Sequence, residues 1–147
     1  MRDRLSDIDL AYIAGFFDGE GCISLGRKKD GSYRRHYTYQ LVVTVSNTKP
    51  EILEFLHRHF GGHFRKIKNP STKNGKTVYV WALLCRKALN FIKTIYPYLK
   101  LKKRQAELAI KFYTLVNPYG CNKYDPEKWK QKDLIYNELK ALNKRGI

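Results

Sequence analysis

The sequence predicts an α+β domain in which helices alternate with pairs of antiparallel strands. Segments with the 3.6-residue periodicity of amphipathic helices are separated twice by two short runs in which apolar residues recur at every second position. No linker or low-complexity segment divides the 147 residues. We therefore expect one domain over residues 1–147, with the order helix, hairpin, helix, hairpin, helix at about 6–116 and a C-terminal helical extension at about 117–147. The four strands would form one antiparallel sheet.

The first helix and hairpin are predicted from a cap and from the parity of apolar residues. Ser6 and Asp9 fit a capping box that starts a helix ending near Asp18. Strands are then expected at 21–29 and 33–46, joined by a turn. Their odd positions are mainly apolar and their even positions mainly polar or basic. We therefore expect one face to pack on helices and the other face to be open.

The second helix and hairpin follow from similar signals. A capping box at 48–51, with a Pro near the first helical turn, opens a helix that runs to about Phe60, where two glycines end it. Strands are expected at 63–68 and 76–84. Further helices are predicted at about 86–96, 101–116 and from 125 onward.

The charge distribution indicates a polyanionic partner. The formal net charge is +16, from 29 Lys and Arg against 13 Asp and Glu. Between Phe55 and Ala106 there are thirteen basic residues and no acidic residue. A solvated helical face normally mixes both signs, and a hydrophobic fraction of 43% argues against disorder. The sequence therefore predicts a basic surface on a folded domain, which most simply binds nucleic acid.

The cysteines and the hydropathy pattern exclude other classes. Cys22, Cys85 and Cys121 are odd in number, lie far apart and form no C-x-x-C pair. This pattern is typical of a reduced, intracellular protein without a structural zinc. No run of 18 apolar residues and no signal-peptide core is present, so neither a membrane span nor secretion is expected.

The stretch Ile13-Ala-Gly-Phe-Phe-Asp-Gly-Glu-Gly21 is the most unusual part of the sequence. Glycine in a helix interior costs roughly 1 kcal/mol relative to alanine, so Gly15 and Gly19 need another reason. Together with Ala14 they would let a second helix approach closely, which brings the acidic ends of two helices into an oxygen-rich site suited to Mg²⁺. A helix C-cap at Gly19 with Glu20 merely exposed explains the same residues equally well.

This stretch resembles the signature of the LAGLIDADG homing endonucleases: small residue, Gly, two apolar residues, acid, small residue, acid, Gly, with Glu20 where Asp is commoner. The order of helices and hairpins is also similar to the family's αββαββα core, which has a saddle-shaped sheet. The resemblance implies an enzyme that cuts both strands of a long pseudo-palindromic DNA site by hydrolysing phosphodiester bonds with Mg²⁺, for which Mn²⁺ substitutes. Single-motif members are homodimers whose motif helices pack together. The interface residues it implies are Ala14, Gly15, Asp18 and Gly19.

The resemblance also implies roles for residues of the site. Glu20 and the Gly19 carbonyl would bind the catalytic metal. Asn47 would orient metal-bound water, although an Asn that caps a strand-to-helix turn explains this residue as well. Lys100 would stabilise the charge that develops on the phosphate, with a phosphate-binding or solvated lysine as the alternative. A second basic residue found near the site in some relatives falls on Glu51, so that part of the pattern is absent.

Base recognition is expected from the open face of the sheet. Twisted antiparallel strands fit into the major groove of DNA, where each base pair presents a distinct pattern of donors and acceptors. Lys73, in the polar loop of the second hairpin, is expected to contact phosphates. Two aromatic candidates, Tyr79 and Trp81, would be core residues in the alternative interpretation. The strand residues predicted to contact DNA are Ser24, Lys28, Arg34, His36, Thr38, Gln40, Thr44, Arg65, Tyr79 and Trp81.

Two other functions fit the same fold. One is an RNA-binding maturase that assists splicing of its own intron, which makes intron RNA an alternative partner. The other is a DNA-binding regulator without catalytic activity. Glu20 and Lys100 favour the nuclease over both. The expected partners are double-stranded DNA and a second copy of the chain, with no membrane, and the resemblance implies a prokaryotic cytoplasm or an organelle (chloroplast or mitochondrion) as the location.

Overall fold

The computed structural model describes residues 4–29, 37–68, 76–116 and 125–144. The α+β fold class and the predicted order of elements are confirmed. The predicted turn of the first hairpin lies outside the described residues. The elements, in chain order, are α1 (Asp7–Glu20), β1 (Gly21–Lys29), β2 (Tyr37–Asn47), α2 (Glu51–Phe60), β3 (His63–Lys68), β4 (Thr77–Leu84), α3 (Cys85–Ile95), a 3₁₀ turn (Tyr96–Tyr98), α4 (Lys103–Thr114) and α5 (Pro126–Leu142).

The strands form one antiparallel sheet in the order β1-β2-β4-β3. Directly paired residues of neighbouring strands share a face, so the registers show which side chains lie together. Ile23 pairs with Val43, and Val45 pairs with Trp81; all four are at most 1% exposed. They mark the face on which the helices pack. The opposite face is open, and we call it the open face.

A cluster of aromatic rings joins the helices to the sheet. Phe91 of α3 makes edge-on contacts with Phe17 of α1, Phe60 of α2 and Trp81 of β4, with ring centroids 4.9–5.4 Å apart. Edge-to-face geometry is the favoured arrangement of aromatic pairs. This aromatic cluster therefore lies between the sheet and the first three helices, and it fixes α1 against the strands.

The first helix begins as predicted and ends later. Ser6 and Asp9 form the capping box: the Ser6 hydroxyl accepts the Asp9 N–H, and the Asp9 carboxylate accepts the Ser6 N–H. The helix continues past Asp18 to Glu20, and Gly21 opens β1. A Cβ at Gly21 would lie 2.2 Å from the Phe17 ring, so only glycine fits at this junction.

The second predicted capping box is wrong, because Pro50 is the N-cap of α2 and no side chain caps this helix. Instead the Asn47 Oδ1 accepts the Lys49 N–H at 2.9 Å, which forms the turn between β2 and α2. The end of α2 is as predicted. Gly61 and Gly62 have φ of 74° and 90°, the left-handed region that favours glycine.

The C-terminal helix α5 packs beside β1 and belongs to the same core. Ile135 and Leu139 are at most 3% exposed within it. The Asn143 amide donates to the Ile23 carbonyl at 2.7 Å, which pairs a backbone group on the free edge of the sheet. None of the helices in the described ranges is long and apolar enough to cross a membrane.

Candidate functional site

The C-terminal end of α1 is tied to the segment that follows the 3₁₀ turn. The Asp18 carboxylate, 8% exposed, accepts the backbone N–H groups of Lys100, Leu101 and Lys102 at 2.8, 3.2 and 3.0 Å. Three donors on one carboxylate hold this segment in a defined position. Helix α4 therefore starts at Lys103, two residues later than predicted.

The other end of α1 is tied to the same segment. The Tyr98 hydroxyl donates to the Asp7 carboxylate at 2.8 Å, and this hydrogen bond raises the pKa of Tyr98 above its ordinary value. The chain from the 3₁₀ turn to Lys102 therefore runs along α1 and is fixed to it at both ends.

Two lysines of this segment lie at the end of α1 that carries Glu20. The Lys102 side chain is half-buried, and its Nζ donates to the Asp18 carbonyl at 2.9 Å. An amine at the last turn of a helix is favoured by the partial negative charge there. The Lys100 side chain is exposed, while its backbone is held by Asp18.

Glu20 and Asn47 line the same open cleft, together with Ser46, Thr48 and Val78. The Glu20 side chain is exposed, and no donor in the described ranges is bonded to its carboxylate. Asn47 makes the turn described above through its oxygen, which leaves its NH₂ group available for another acceptor. The structure thus brings together two of the predicted catalytic residues.

The cleft offers one carboxylate per chain. In the described parts of the chain, no three His, Cys, Asp or Glu side chains are close enough to hold a metal ion together. The other acid of the motif, Asp18, is already occupied by three backbone donors. Among the described residues, a single chain therefore supplies to this cleft one free carboxylate, that of Glu20, and nearby carbonyl oxygens.

The outer side of α1 carries exposed apolar residues and two glycines. Ile8 and Tyr12 are 83% and 61% exposed, and Gly15 and Gly19 continue the same side of the helix. Apart from its own turn of helix, a Cβ at either glycine would meet no atom of the described residues within 4 Å. The open space at the two glycines allows the close approach of a second helix on this side.

Two of the predicted interface residues point the other way. Ala14 is fully buried in the core, and Asp18 faces the segment that it binds. Residues four apart share a helix face, so positions 14 and 18 lie beside the 15 and 19 stripe and are turned inward. The prediction that Ala14 and Asp18 lie at an interface does not fit this geometry. Gly15 and Gly19 are exposed on the outer side of α1, where a second helix could reach them.

Six predicted recognition residues belong to the open face. Lys28 pairs with Thr38, and the other members follow by alternation along their strands. The Gln40 amide also donates to the Cys85 sulfur at 3.4 Å. Arg34, His36 and Lys73 lie outside the described residues. The six are Ser24, Lys28, Thr38, Gln40, Thr44 and Arg65.

The placement of Trp81 and Tyr79 on the recognition face is wrong. Trp81 is fully buried, and its indole N–H donates to the Gly61 carbonyl at 2.8 Å. Tyr79, two residues earlier, shares this face and stacks on Phe64. Both alternating sets of β4 are apolar, so parity alone could not choose between them; the large rings fill the core because they bury more apolar surface.

Residues 13–119 match the LAGLIDADG endonuclease family. The chain belongs to this family. DNA endonuclease I-CreI of Chlamydomonas reinhardtii is 28% identical over 97% of this chain and 83% of its own length. The intron-encoded DNA endonuclease ai2b of Dictyostelium discoideum is 26% identical, and the alignment covers 96% of this chain and 53% of that protein.

Solved structures of LAGLIDADG proteins share the fold. The homing endonuclease I-CvuI, crystallised with its target in the presence of Ca, has a TM-score of 0.74 at 23% identity and covers 95% of this chain and 87% of its own. The archaeal intron-encoded homing endonuclease I-Vdi141I, complexed with DNA, has a TM-score of 0.74 at 21% identity, with 96% and 87% covered.

Two features of this LAGLIDADG chain were missed from the sequence. One is Lys102, because four basic residues lie within 100–104 and their spacing does not show which amine turns toward α1. The other is the apolar character of the open face along β4, which was hidden when the aromatic residues were assigned to that face. The alternation of Val78, Val80 and Ala82 was the available signal.

Proposed function

We propose that this protein is a site-specific, intron-encoded homing endonuclease that cuts double-stranded DNA, with Glu20 at the centre of its catalytic site. The observation that carries the proposal is the exposed Glu20 carboxylate in a cleft that opens on the same side as the open face of the sheet. DNA lying on that face would bring a phosphodiester bond to Glu20.

The relatives and the charge support the same conclusion. I-CreI and ai2b are both named DNA endonucleases, and I-CvuI and I-Vdi141I were crystallised with DNA. The net charge of +16 favours association with a polyanion. I-CvuI has also been crystallised in the presence of Mg with uncleaved DNA.

The donor set at the end of α1 fits a hard divalent cation such as Mg²⁺. Glu20 supplies a free carboxylate, and the Gly19 carbonyl has no helical N–H four residues on, because Ile23 lies in β1. When bound, such a cation polarises the phosphodiester and lowers the pKa of bound water. Glu20 and Gly19 would hold it, and Mn²⁺, which prefers similar oxygen ligands, would substitute.

Asn47 in the cleft and two lysines beside the end of α1 would bind the phosphate and balance charge. The Asn47 NH₂ group can donate to a phosphate oxygen while its oxygen keeps the turn in place. The Lys102 amine lies at the end of α1, and the backbone of Lys100 is held there; both side chains would stabilise the negative charge that grows on the phosphate and the leaving oxygen.

The site is complete only in a homodimer. One chain supplies one Glu20 carboxylate, whereas cleavage of two strands needs two sites. The outer side of α1, with Gly15 and Gly19, would pack against the same side of a second copy and bring two Glu20 residues together. A two-fold symmetric dimer matches a pseudo-palindromic target.

Cleavage of a randomised duplex library tests this function. Fragments released by the wild-type protein with Mg²⁺ should converge on one long pseudo-palindromic sequence cut in both strands, and EDTA should abolish their release. Enrichment of a bound sequence that is never cut with Mg²⁺ or Mn²⁺ would contradict the proposal and indicate a DNA-binding regulator.

A further inference from the structure

The open face has two chemically different parts. Along β1 and the first half of β2 it carries polar side chains, among them Lys28, Thr38 and Gln40. Along β4 every side chain on this face is apolar, and one apolar residue each of β2 and β3 extends the set, which we call the apolar strip. The strip consists of Val42, Ile67, Val78, Val80, Ala82 and Leu84.

The registers place the members of the strip side by side. Ile67 pairs with Val78 across β3 and β4, and Leu84 pairs with Val42 across β4 and β2. Ile67 is 38% exposed, and the other members are partly exposed. The strip therefore lies at the surface of the open face and outside the core, which the large residues of β4 fill from the other face.

The strip is continuous with the catalytic cleft and with the basic part of the same face. Val78 lines the cleft that holds Glu20, and Arg65 pairs with Val80. A surface bounded in this way by the cleft, by Arg65 and by the polar residues of β2 is in position to face the DNA that the cleft would cut. The occupant we commit to is therefore the major groove of DNA, and not a second protein.

The major groove presents one apolar group, the C5-methyl of thymine. Apolar side chains form no hydrogen bonds with the polar groups of any base edge, so the thymine methyl is the one feature by which they can distinguish T·A and A·T pairs from G·C and C·G pairs. The strip residues on β4 are spaced about 6.7 Å apart, which corresponds to about two base-pair steps.

We infer that the apolar strip reads thymine methyl groups, so that the base pairs of each half-site next to the cut are recognised as T·A or A·T through apolar contacts. This inference rests on the proposed function and adds the base composition of the target. The outer base pairs of the half-site, beneath Lys28, Thr38 and Gln40, would be read by hydrogen bonds instead.

Replacing thymine by deoxyuracil tests the inference, because this change removes only the methyl group. A bound sequence is first selected from a randomised library with Ca²⁺, and Kd is then measured for duplexes with single substitutions. Each deoxyuracil at an inner T·A pair beneath the strip should weaken binding about three- to fivefold. Deoxyuracil at outer positions should leave Kd unchanged, and 5-methylcytosine should bind better than cytosine at inner positions.

Val80→Thr is the matched variant, since threonine keeps the shape and strand preference of valine and exchanges one methyl for a hydroxyl. Its thermal unfolding should match the wild type, while the penalty for deoxyuracil disappears at one inner position of each half-site. Gln40→Ala should keep every deoxyuracil penalty and change base preference only at outer positions.

The outcomes separate the inference from the proposed function. A selected site with G·C at the inner positions, or equal affinity for thymine and deoxyuracil at all of them, overturns the inference while the nuclease stands. Self-association that Val80→Thr abolishes, without any effect of the methyl groups, would assign the strip to a protein contact and also overturn it. If no DNA sequence is enriched and none is cut, both the inference and the proposed function are wrong.

Discussion

Lys100 and Lys102 are both held at the end of α1, but their amines have different surroundings. The Lys102 Nζ is half-buried at the Asp18 carbonyl, whereas the Lys100 side chain is exposed. We predict that Lys102→Ala lowers turnover on the preferred site by about 10²- to 10³-fold, as removal of a group that stabilises transition-state charge does, and that Lys100→Ala lowers it less. Single-turnover cleavage rates measure this.

The control for the two lysines is Lys103→Ala, which removes an exposed neighbouring charge at the start of α4. It should leave turnover near the wild-type value, and none of the three variants should change the preferred DNA sequence. Equal losses in all three variants would mean that these lysines act only through general attraction of DNA.

Trp81 provides a test of the corrected strand faces. Because it is fully buried and hydrogen-bonded to Gly61, Trp81→Ala should destabilise the fold by about 3–5 kcal/mol, measured by denaturant unfolding. The open-face variant Arg65→Ala should change stability by no more than about 0.5 kcal/mol. A stable Trp81→Ala variant with altered base preference would mean that Trp81 contacts DNA, as the sequence alone predicted.

At the scale of whole elements, α1 carries the dimer hypothesis. Gly15→Leu adds a side chain where this chain leaves open space, and leucine is the better helix former by roughly 0.8 kcal/mol. The variant should therefore fold at least as stably as the wild type but sediment as a monomer with little cleavage. Lys111→Leu, on the exposed side of α4, is the control and should remain dimeric. A monomeric wild-type protein on DNA would contradict the hypothesis.

The helices and the first hairpin could be predicted because the local sequence signals indicate the same structure that the burial of their apolar residues favours. The capping box at Ser6, the glycines after α2 and the alternation of β1 and β2 each point to one structure. In β4 both faces are apolar, so the period of two identifies a strand without identifying its inner face. The inner face is identified by long-range contacts of Trp81, which packs against Phe91 and donates to the Gly61 carbonyl.

The candidate site was predictable in part. Glu20 and Asn47 could be found from the motif and from their place at the ends of elements. The hydrogen bonds between the Asp18 carboxylate and residues 100–102 could not be predicted, because they join segments more than 80 residues apart. The same long-range contact determines which of the neighbouring lysines points to α1.

At the scale of the whole molecule, the net charge predicts strongly salt-dependent binding. If a dimer neutralises about eight phosphates, the slope of log K against log salt should be about −7, and affinity should fall by about 10³- to 10⁵-fold between 50 and 200 mM salt. Filter binding measures the slope. Lys28→Ala should reduce its magnitude by about one per charge removed, whereas Gln40→Ala should not change it. A flat dependence would mean that the basic surface faces another partner.

Glu20 is proposed to hold the divalent cation needed for DNA cleavage, and the cleavage rate of Glu20→Gln on the preferred site with Mg²⁺ tests this role. The amide keeps the size of the side chain and removes the charge that binds a cation. Binding measured with Ca²⁺ should stay within a few-fold of the wild type, and cleavage should be undetectable. Glu54→Gln, an exposed change on α2, should cut normally. Cleavage by Glu20→Gln within about tenfold of the wild-type rate, or about 1.4 kcal/mol of activation free energy, would contradict the account.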